Sequence, residues 1–125
     1  MTDDRERVLS ALREGLDAGT AVRVAWAEAP AACPAAVLLP AKCVPVCVSA
    51  GETLLTEVTQ AVRLTARSYA QLQRLAAQAE AAMQALGYTL ADMDLTDGLP
   101  RSAVVVFKGI TDGESMWPQS GADGI

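Results

Sequence analysis

The chain is predicted to fold as a single α+β domain, with two helices packed on one face of a mostly antiparallel sheet of about four to five strands. Three observations predict this class. The 125 residues are 51% hydrophobic, and folding at this length buries about two-thirds of the unfolded surface, which is enough for one core. Two segments repeat apolar residues at helical spacing. Several short segments alternate apolar and polar residues and are separated by turn-forming residues.

The clearest signal is a change of hydrophobic period at Ser68. Apolar and polar residues alternate over 58–66, which predicts a half-buried strand. Over 68–86 apolar residues recur at three- and four-residue spacing, which is typical of one stripe of a helix. Ser68 followed by Gln71 predicts a capping box in which the Gln71 side chain returns to the Ser68 amide. Gly87 then predicts the helix stop.

The first helix and first strand are expected before residue 27. An apolar stripe at Val8, Leu9, Leu12 and Leu16 follows an acidic start and predicts a helix that ends near Gly19. The alternation over 22–26 then predicts a short strand with Trp26 on its apolar face. We expect Trp26 to serve in core or interface packing.

The middle of the chain carries weaker strand signals. Residues 28–34 contain two prolines, which predict a loop. The apolar run 36–39 predicts a short strand. The alternation over 42–49 is interrupted by Pro45, which favours an edge strand, a bulge or a loop, because proline cannot donate to a central ladder. Ala50 to Glu52 predict a hairpin connection into the long strand.

The closing strand is predicted at 101–109, with apolar residues on both sides and therefore burial of both. Asp92 and Asp94 are expected in a solvated acidic turn. From 111 onwards turn residues dominate, so the domain is predicted to span 1–110 and a flexible C-terminal arm to span 111–125. Trp117 lies in that arm, where it either folds back onto its own domain or docks on a neighbour.

Charge and composition limit the possible partners. The formal net charge is −5, with a pI of about 4.6, and an acidic surface lacks the Lys and Arg excess that grips nucleic acid. It remains compatible with a channel through which DNA passes without binding. No apolar run is long enough for a membrane span, and the charged start does not have the pattern of a signal or transit peptide. Aromatic residues make up 4% of the chain, so we expect a core of small side chains whose stability relies on partner subunits.

The residue types argue against catalysis. The chain has no histidine, which removes Ser/His/Asp and Cys/His arrangements, and it has no phosphate-binding glycine motif. We expect no enzyme activity and no cofactor. An EF-type calcium loop that begins at Asp92 fails because its twelfth position is Ala103. Cys33, Cys43 and Cys47 lack zinc-ribbon spacing and are expected to be reduced, small buried residues, with a Cys43–Cys47 disulfide left open.

The order of elements resembles that of a known family. The features that carry the resemblance are the strand Val22-Arg23-Val24-Ala25-Trp26 running into a loop with Pro30 and Pro34, the strand 58–66 leading directly into the helix 68–86, and the closing strand 101–109 with Phe107-Lys108-Gly109. Over residues 3–110 the chain resembles the small tail-terminator and tail-completion proteins of long-tailed bacteriophages and related prophages. It differs from a typical member in its segment 31–50, rich in alanine and cysteine, and in its tryptophan-bearing C-terminal arm.

The resemblance implies a structural virion protein. Such proteins form a ring, typically hexameric, at the head-proximal end of the tail; they stop growth of the tail tube and help to join the tail to the head connector. The implied partners are further copies of the chain, the tail-tube protein and the connector proteins. Genomic DNA would pass through the lumen without specific binding, and assembly would take place in the host cytoplasm. No catalytic residue is carried over.

Two other functions stay open at this stage. One is a bacterial non-enzymatic adaptor or protein-binding module that uses an open sheet edge. The other is a small-ligand domain with a pocket lined by Trp26, Tyr69 and Tyr88, although core packing explains the two tyrosines better. For the ring, the candidate interface or lumen residues are Thr59, Arg63, Thr65, Arg67, Trp26 and Trp117.

Overall fold

The computed structural model describes residues 4–24, 34–96, 101–112 and 116–118. In chain order the elements are α1 (Asp4–Gly15), β1 (Ala21–Val24), β2 (Ala35–Leu38), β3 (Lys42–Ser49), β4 (Glu52–Ala66), α2 (Tyr69–Ala85), β5 (Thr89–Thr96), β6 (Arg101–Thr111) and β7 (Met116–Pro118). The predicted α+β class is confirmed. Trp26, Pro30 and Cys33 lie outside the described residues.

All of the described strands belong to one sheet, whose order is β1-β2-β4-β6-β5. β1 and β2 are parallel, and every other described pair is antiparallel. The sheet has seven described strands rather than four to five, because β4 and β6 are long enough for each to pair with two short strands along one side. β4 pairs with β2 at 62–65 and with β3 at 52–59. β6 pairs with β5 at 102–108 and with β7 at 109–111.

Both helices pack on the same face of this sheet, as predicted. The even-numbered residues of β4 from Val58 to Ala66 face the helices and are buried. They share one core with Phe107 of β6 and with the buried stripes of the two helices. The stripe residues are Val8, Leu9, Leu12 and Leu16 from α1 and its C-terminal end, and Leu72, Leu75, Ala79 and Met83 from α2. The alternation and the helical spacing therefore identified the core correctly.

The predicted helix ends are partly confirmed. The Ser68 hydroxyl accepts a hydrogen bond from the Gln71 amide at 3.1 Å, as in a capping box. The Gln71 carboxamide oxygen accepts a hydrogen bond from the amide of Arg67 at 2.8 Å. The predicted bond from the Ser68 amide is therefore wrong, because the donor lies one residue earlier in the chain. The extended backbone of Ser68 leaves the preceding amide within reach of Gln71. Gly87 follows the helix with φ of 100°, as expected.

The end of the first helix was predicted too late in the chain. α1 ends at Gly15 rather than near Gly19. The amide of Asp17 donates to the side-chain oxygen of Gln78 on α2 at 3.1 Å instead of continuing the helical ladder. The Asp17 amide therefore binds a side chain of another helix instead of a carbonyl of α1. No local sequence pattern encodes this partner.

Three further expectations change. Asp92 and Asp94 lie in β5 and not in an acidic turn. The long strand begins at residue 52, six residues before the predicted start at 58. Cys43 and Cys47 are exposed free thiols rather than buried residues, because no described element packs over β3 and all eight of its residues are exposed.

The segment predicted as a C-terminal arm is described only in part. Thr111 closes β6, and Met116–Pro118 form β7 against β6, with Trp117 opposite Ile110. The remaining residues of 113–125 lie outside the described chain. The expected boundary at residue 110 and the flexibility of the arm stay predictions.

Candidate assembly surfaces

The exposed large apolar side chains of the described residues fall into two places. Four of them belong to the β3–β4 hairpin, namely Val44, Val46, Val48 and Leu54, with 39–59% of each exposed. The other three lie on α2 and β5 and are 46–49% exposed, namely Tyr69, Met93 and Leu95. Scattered single residues of this kind are ordinary, whereas groups of them mark interaction sites.

The first surface is the hairpin tip, which we define as residues 46–55. The last pair between β4 and β6 joins Thr56 to Thr111, so the tip extends beyond the body of the sheet by about four residues per strand, or about 13 Å. Val46, Val48 and Leu54 lie on this projection. The pairing register shifts beside Pro45 and Cys47. Of the three predicted alternatives, the edge strand and the bulge therefore agree with the structure, and the loop does not.

A tight turn closes the hairpin tip. Ala50 and Gly51 both have positive φ, at 53° and 81°, which is the signature of a two-residue type I′ connection. This turn matches the right-handed twist of two paired strands and holds them together. The predicted hairpin connection is therefore confirmed. The presence of alanine where glycine or asparagine fits better is a local strain.

The second surface is the α2–β5 groove, an apolar cleft of about 260 Å³. Its walls are Leu72, Ala76 and Ala77 from the helix and Leu90, Met93 and Leu95 from the strand, with Val105 as its floor. Tyr69 and Glu80 also line it. The groove exists because α2 covers β4 and β6 but leaves the outer part of β5 open. Tyr69 is thus a groove residue, whereas Tyr88 is 3% exposed and belongs to the core.

The two surfaces lie at diagonally opposite corners of the sheet. β3 pairs with β4 on the side away from β6, and β5 pairs with β6 on the side away from β4. Along the strand direction, Met93 aligns with Val105 and hence with Val62. Ten strand residues separate Val62 from Glu52 at the tip, which corresponds to about 33 Å. The hairpin tip therefore does not reach the groove of its own chain.

The sheet face opposite the helices, here the open face, carries most of the polar residues predicted as a site. Thr59, Arg63 and Thr65 share this face, and register aligns Arg63 with Val37 and Val104 on the flanking strands. Arg67 does not join them, because β4 ends at Ala66. Of the two predicted tryptophans, Trp26 lies outside the described residues, and the structure describes only the backbone pairing of Trp117.

Cations collect on the open face although the chain as a whole is acidic. By register Arg23, Lys42, Arg63 and Lys108 all lie on it, and these are four of the ten cations of the chain. Glu57 lies on the same face on strand β4, and Asp92 and Asp94 lie on it at the β5 edge. By register the face therefore carries four cations and three carboxylates, and its β5 edge is acidic. The net charge of the chain does not predict this distribution of charged residues on the open face.

A polar cluster joins α2 to the end of α1. Asp17 accepts hydrogen bonds from Gln78 Nε2 at 2.8 Å and from Arg74 Nε at 2.6 Å. The bond from Gln78 is the main cause, and that from Arg74 the next, of a pKa for Asp17 below its ordinary value of 3.8. Arg67 lies at the same polar depression. Both partners of the Arg74–Asp17 pair are more than one-third exposed, so we regard the cluster as a fastening between helices.

Within the described part of the chain, no three metal-ligating side chains lie close enough to hold an ion. None of its helices is long and apolar enough to cross a membrane. Compared with protein-family models, curated proteins and solved structures, the chain matches none.

Sequence reasoning missed the hairpin tip and the groove as surfaces. For the tip a signal existed. In 43–48 the apolar valines alternate with cysteine and proline rather than with charged residues, so neither side of the strand is strongly polar. For the groove no local signal exists, because its walls come from α2 and β5 and meet only through the fold.

Proposed function

We propose that the chain is a structural subunit of a long-tailed bacteriophage that caps the tail tube as a ring and helps to join the tail to the head connector. The single observation that carries the assembly part is the pair of separate exposed apolar surfaces on one small domain. Surfaces of this kind lose their contact with water when copies associate, which stabilises the assembly. The assignment to a phage tail rests on the resemblance in element order and is supported by the same order in the described elements.

Two surfaces of different shape favour a ring over a simple dimer. A two-fold dimer uses the same patch on both copies, whereas contact between two different patches produces a ring or a filament. A closed ring is the form that a tube cap requires. In this proposal the ring is hexameric, and it contacts the tail-tube protein on one side and the connector on the other.

The charge of the open face bears on its place in the ring. A lumen wall that carries Arg23, Arg63 and Lys108 would attract the phosphates of passing DNA. A subunit interface instead pairs these cations with acidic residues of a neighbour. We therefore propose that the open face takes part in contacts between subunits, and that the lumen is lined by other, more acidic parts of the chain.

The first experiment measures assembly directly. Purified protein, alone and with the tail-tube protein, is analysed by sedimentation and negative-stain electron microscopy. We expect annular particles, and only monomer under both conditions would contradict the ring. Val46→Ser with Val48→Ser should weaken the ring, because it makes the hairpin tip polar. Ala81→Ser with Ala85→Ser is the matched control, since both alanines are exposed on α2 outside the groove.

A second variant tests the two arginines predicted as site residues, of which Arg63 lies on the open face. Arg63→Glu with Arg67→Glu reverses the charge of both predicted residues, and it is expected to disturb assembly while the helical circular dichroism signal stays intact. Arg13→Glu, on the exposed side of α1, serves as the control for charge reversal away from the open face. Ring formation that is unchanged by the double variant would return Arg63 to the role of a solvated surface residue.

A non-enzymatic adaptor is the second candidate, and the observation that favours it is that no described strand pairs with the outer edges of β3 and β5. An extended peptide adds to such an edge through main-chain hydrogen bonds. Neighbouring genes separate the two candidates. Capsid, connector and tail-tube genes beside this one favour the ring, whereas a secretion or metabolic operon favours the adaptor.

A further inference from the structure

We propose that copies of the chain join edge to edge, with the outer edge of β5 of one copy against the outer edge of β1 of the next. This inference rests on the proposed ring, and it goes further by naming the two strands that meet between neighbours. The occupant of each edge is a second copy of this chain. β1 and β5 end the sheet order β1-β2-β4-β6-β5, and no described strand pairs with their outer sides.

The strand directions allow the sheet to continue from one copy into the next. β1 is parallel to β2, β2 and β6 are both antiparallel to β4, and β5 is antiparallel to β6. β1 and β5 therefore run in opposite directions. A second copy placed beside the first in the same orientation presents its β1 antiparallel to β5, which is the slightly more stable type of strand pairing.

The registers place the four residues of β1 level with the last four residues of β5. Followed through β2, β4 and β6, they set Ala21 level with Thr96 and Val24 level with Met93. The first stretch is the whole of β1, and the second is the C-terminal half of β5. Two copies side by side therefore bring these two stretches together without a shift along the strands.

On the open face this alignment brings opposite charges together. Arg23 is level with Asp94, and Val37, Arg63 and Val104 lie between them in one row across the sheet. Within one chain four strand spacings separate Arg23 from Asp94, or about 19 Å, which is too far for an ion pair. Across the boundary between two copies they lie on adjacent strands, where opposite charges attract.

On the helix face the same alignment joins apolar side chains. Leu95 is level with Val22, and Met93 is level with Val24. Leu95 is 49% and Met93 46% exposed in the single chain. Val22 belongs to the core, and Val24 packs against it. The β1 edge of a neighbour therefore extends an apolar face towards both exposed side chains, and their removal from water stabilises the contact.

The charges of the two edges also select the orientation. β5 carries Asp92 and Asp94 and no cation, whereas β1 carries Arg23 and no acidic residue. Two β5 edges would set carboxylates against carboxylates, which is unfavourable. A contact between unlike edges leaves one free edge of each kind on every pair, so it propagates from copy to copy and produces a ring when the rotation closes.

A charge-exchange experiment tests the edge-to-edge pairing. Arg23→Asp and Asp94→Arg each place like charges across the boundary, and each variant alone is expected to self-associate at least about tenfold more weakly than the parent. An equimolar mixture of the two variants, and the chain that carries both changes, should regain the association of the parent. Because the two positions are about 19 Å apart in one chain, such a rescue acts between copies.

The matched control is Arg13→Asp with Asp94→Arg. It has the same net charge as the chain with both edge changes, but Arg13 is exposed on α1 rather than on a sheet edge. We expect it to associate as weakly as Asp94→Arg alone. All three positions are exposed, so the variants should fold, which circular dichroism and thermal unfolding check. Sedimentation that shows no rescue in the mixture, or equal rescue by the control, would overturn the pairing.

Hydrogen exchange provides a second readout. Main-chain pairing between copies should slow exchange in peptides that cover β1 and the C-terminal half of β5 in the assembled parent, relative to the same protein diluted to monomer. Oligomers in which both edges exchange as fast as in the monomer would overturn the continued sheet.

The outcomes separate this inference from the proposed function. Rings by microscopy that Arg23→Asp and Asp94→Arg leave unchanged would overturn the edge-to-edge contact and leave the ring standing. Monomer in every sample, including those with tail-tube protein, would overturn both. Rescue specific to the exchanged pair, together with slowed exchange at both edges, would establish the contact whatever the particle caps.

Discussion

Leu64 and Leu54 lie on the same strand and have opposite environments. Leu64 is fully buried and belongs to the core, whereas Leu54 is 46% exposed on the hairpin tip. The valines divide in the same way, with Val62 fully buried and Val48 59% exposed. The strand is continuous through both environments. What changes is the layer above it, because the helices cover β4 only from Val58 to Ala66, together with the adjoining part of β6.

Apolar residues of this strand therefore have two different roles. In the covered half, the burial of Leu64 stabilises the fold of the single chain. In the uncovered half, Leu54 contributes little until another molecule covers it. The first kind of residue is therefore expected to control folding, and the second to control assembly.

The largest expected effect comes from truncating these two leucines. Leu64→Ala should lower the free energy of unfolding by about 2–5 kcal/mol, because it leaves a cavity in a core that is closed on all sides. Leu54→Ala should change it by no more than about 0.5 kcal/mol. Urea unfolding of dilute, unassembled protein measures both. Equal losses in the two variants would mean that the hairpin tip is part of the folding core of the single chain.

For self-association the expected order of the two leucine variants is reversed, so that Leu54→Ala has the larger effect. Leu54→Ala is expected to raise the dissociation constant for self-association, measured by sedimentation on fully folded protein. The matched control is Gln73→Ala, an exposed α2 residue at the groove rim, for which a smaller effect is expected, because its removal leaves the aliphatic anchor in place. A Leu54→Ala protein that assembles as well as the parent would assign the tip no role in the interface.

Local patterns predicted most of the covered half of the molecule. The alternation at 58–66 placed the side chains from Val58 to Ala66 on one side, and Ser68 marked the start of α2 correctly, because these features depend on neighbouring residues alone. The pairing of β3 with β4, the end of α1 and the groove depend on residues far apart in sequence. Cys43 and Cys47 were misjudged for the same reason, since residue type indicates a preference for burial but not whether a covering element is present.

Gln60 shows how this limit applies to a single side chain. The alternation placed it on the buried side, and it is 4% exposed. Its partner was not predictable. Gln60 Nε2 donates to the carbonyl oxygens of Leu39 at 2.6 Å and of Ala61 at 3.0 Å. Leu39 immediately follows β2, at the place where the partner of β4 changes from β2 to β3. Its amide still donates to the Ala61 carbonyl at 3.0 Å, and Gln60 supplies a donor to the Leu39 carbonyl.

An intermediate effect is expected from removing that amide. Gln60→Leu keeps the volume of the side chain but leaves the Leu39 carbonyl without this donor, which should lower the free energy of unfolding by about 1–3 kcal/mol. Urea unfolding measures the loss. Gln73→Ala, exposed on α2, is expected to stay within about 0.5 kcal/mol of the parent. A Gln60→Leu protein as stable as the parent would show that water satisfies the Leu39 carbonyl equally well.

The hairpin turn should respond in opposite directions to two small changes. Ala50→Gly relieves a side chain held at φ of 53° and is expected to stabilise the hairpin by about 1 kcal/mol. Gly51→Ala introduces a side chain at φ of 81° and should destabilise it by a similar amount, although the added methyl group meets no atom. Hydrogen exchange of the tip amides measures both. Changes of the same sign would contradict the type I′ turn.

The smallest effect is expected in the covered half, at the fastening between the helices. The hydrogen bonds from Gln78 and Arg74 lower the pKa of Asp17 below 3.8, so the charged carboxylate is favoured in the folded state. Its contribution is complete above about pH 5 and is lost as the pH falls through the lowered pKa. Asp17→Asn should therefore be less stable than the parent at neutral pH, by a small amount because the pair is exposed.

The difference between Asp17→Asn and the parent should shrink below pH 3.8 and vanish at lower pH, as followed by thermal unfolding over a pH series. Removing each of the two hydrogen-bond donors separately provides a second test. Gln78→Ala is expected to raise the pKa of Asp17 more than Arg74→Ala does, because the Gln78 bond is the larger cause and the Arg74 pair is screened by solvent. Carboxyl chemical shifts report that pKa directly. The reverse order would mean that charge, rather than the carboxamide bond, holds the end of α1 against α2.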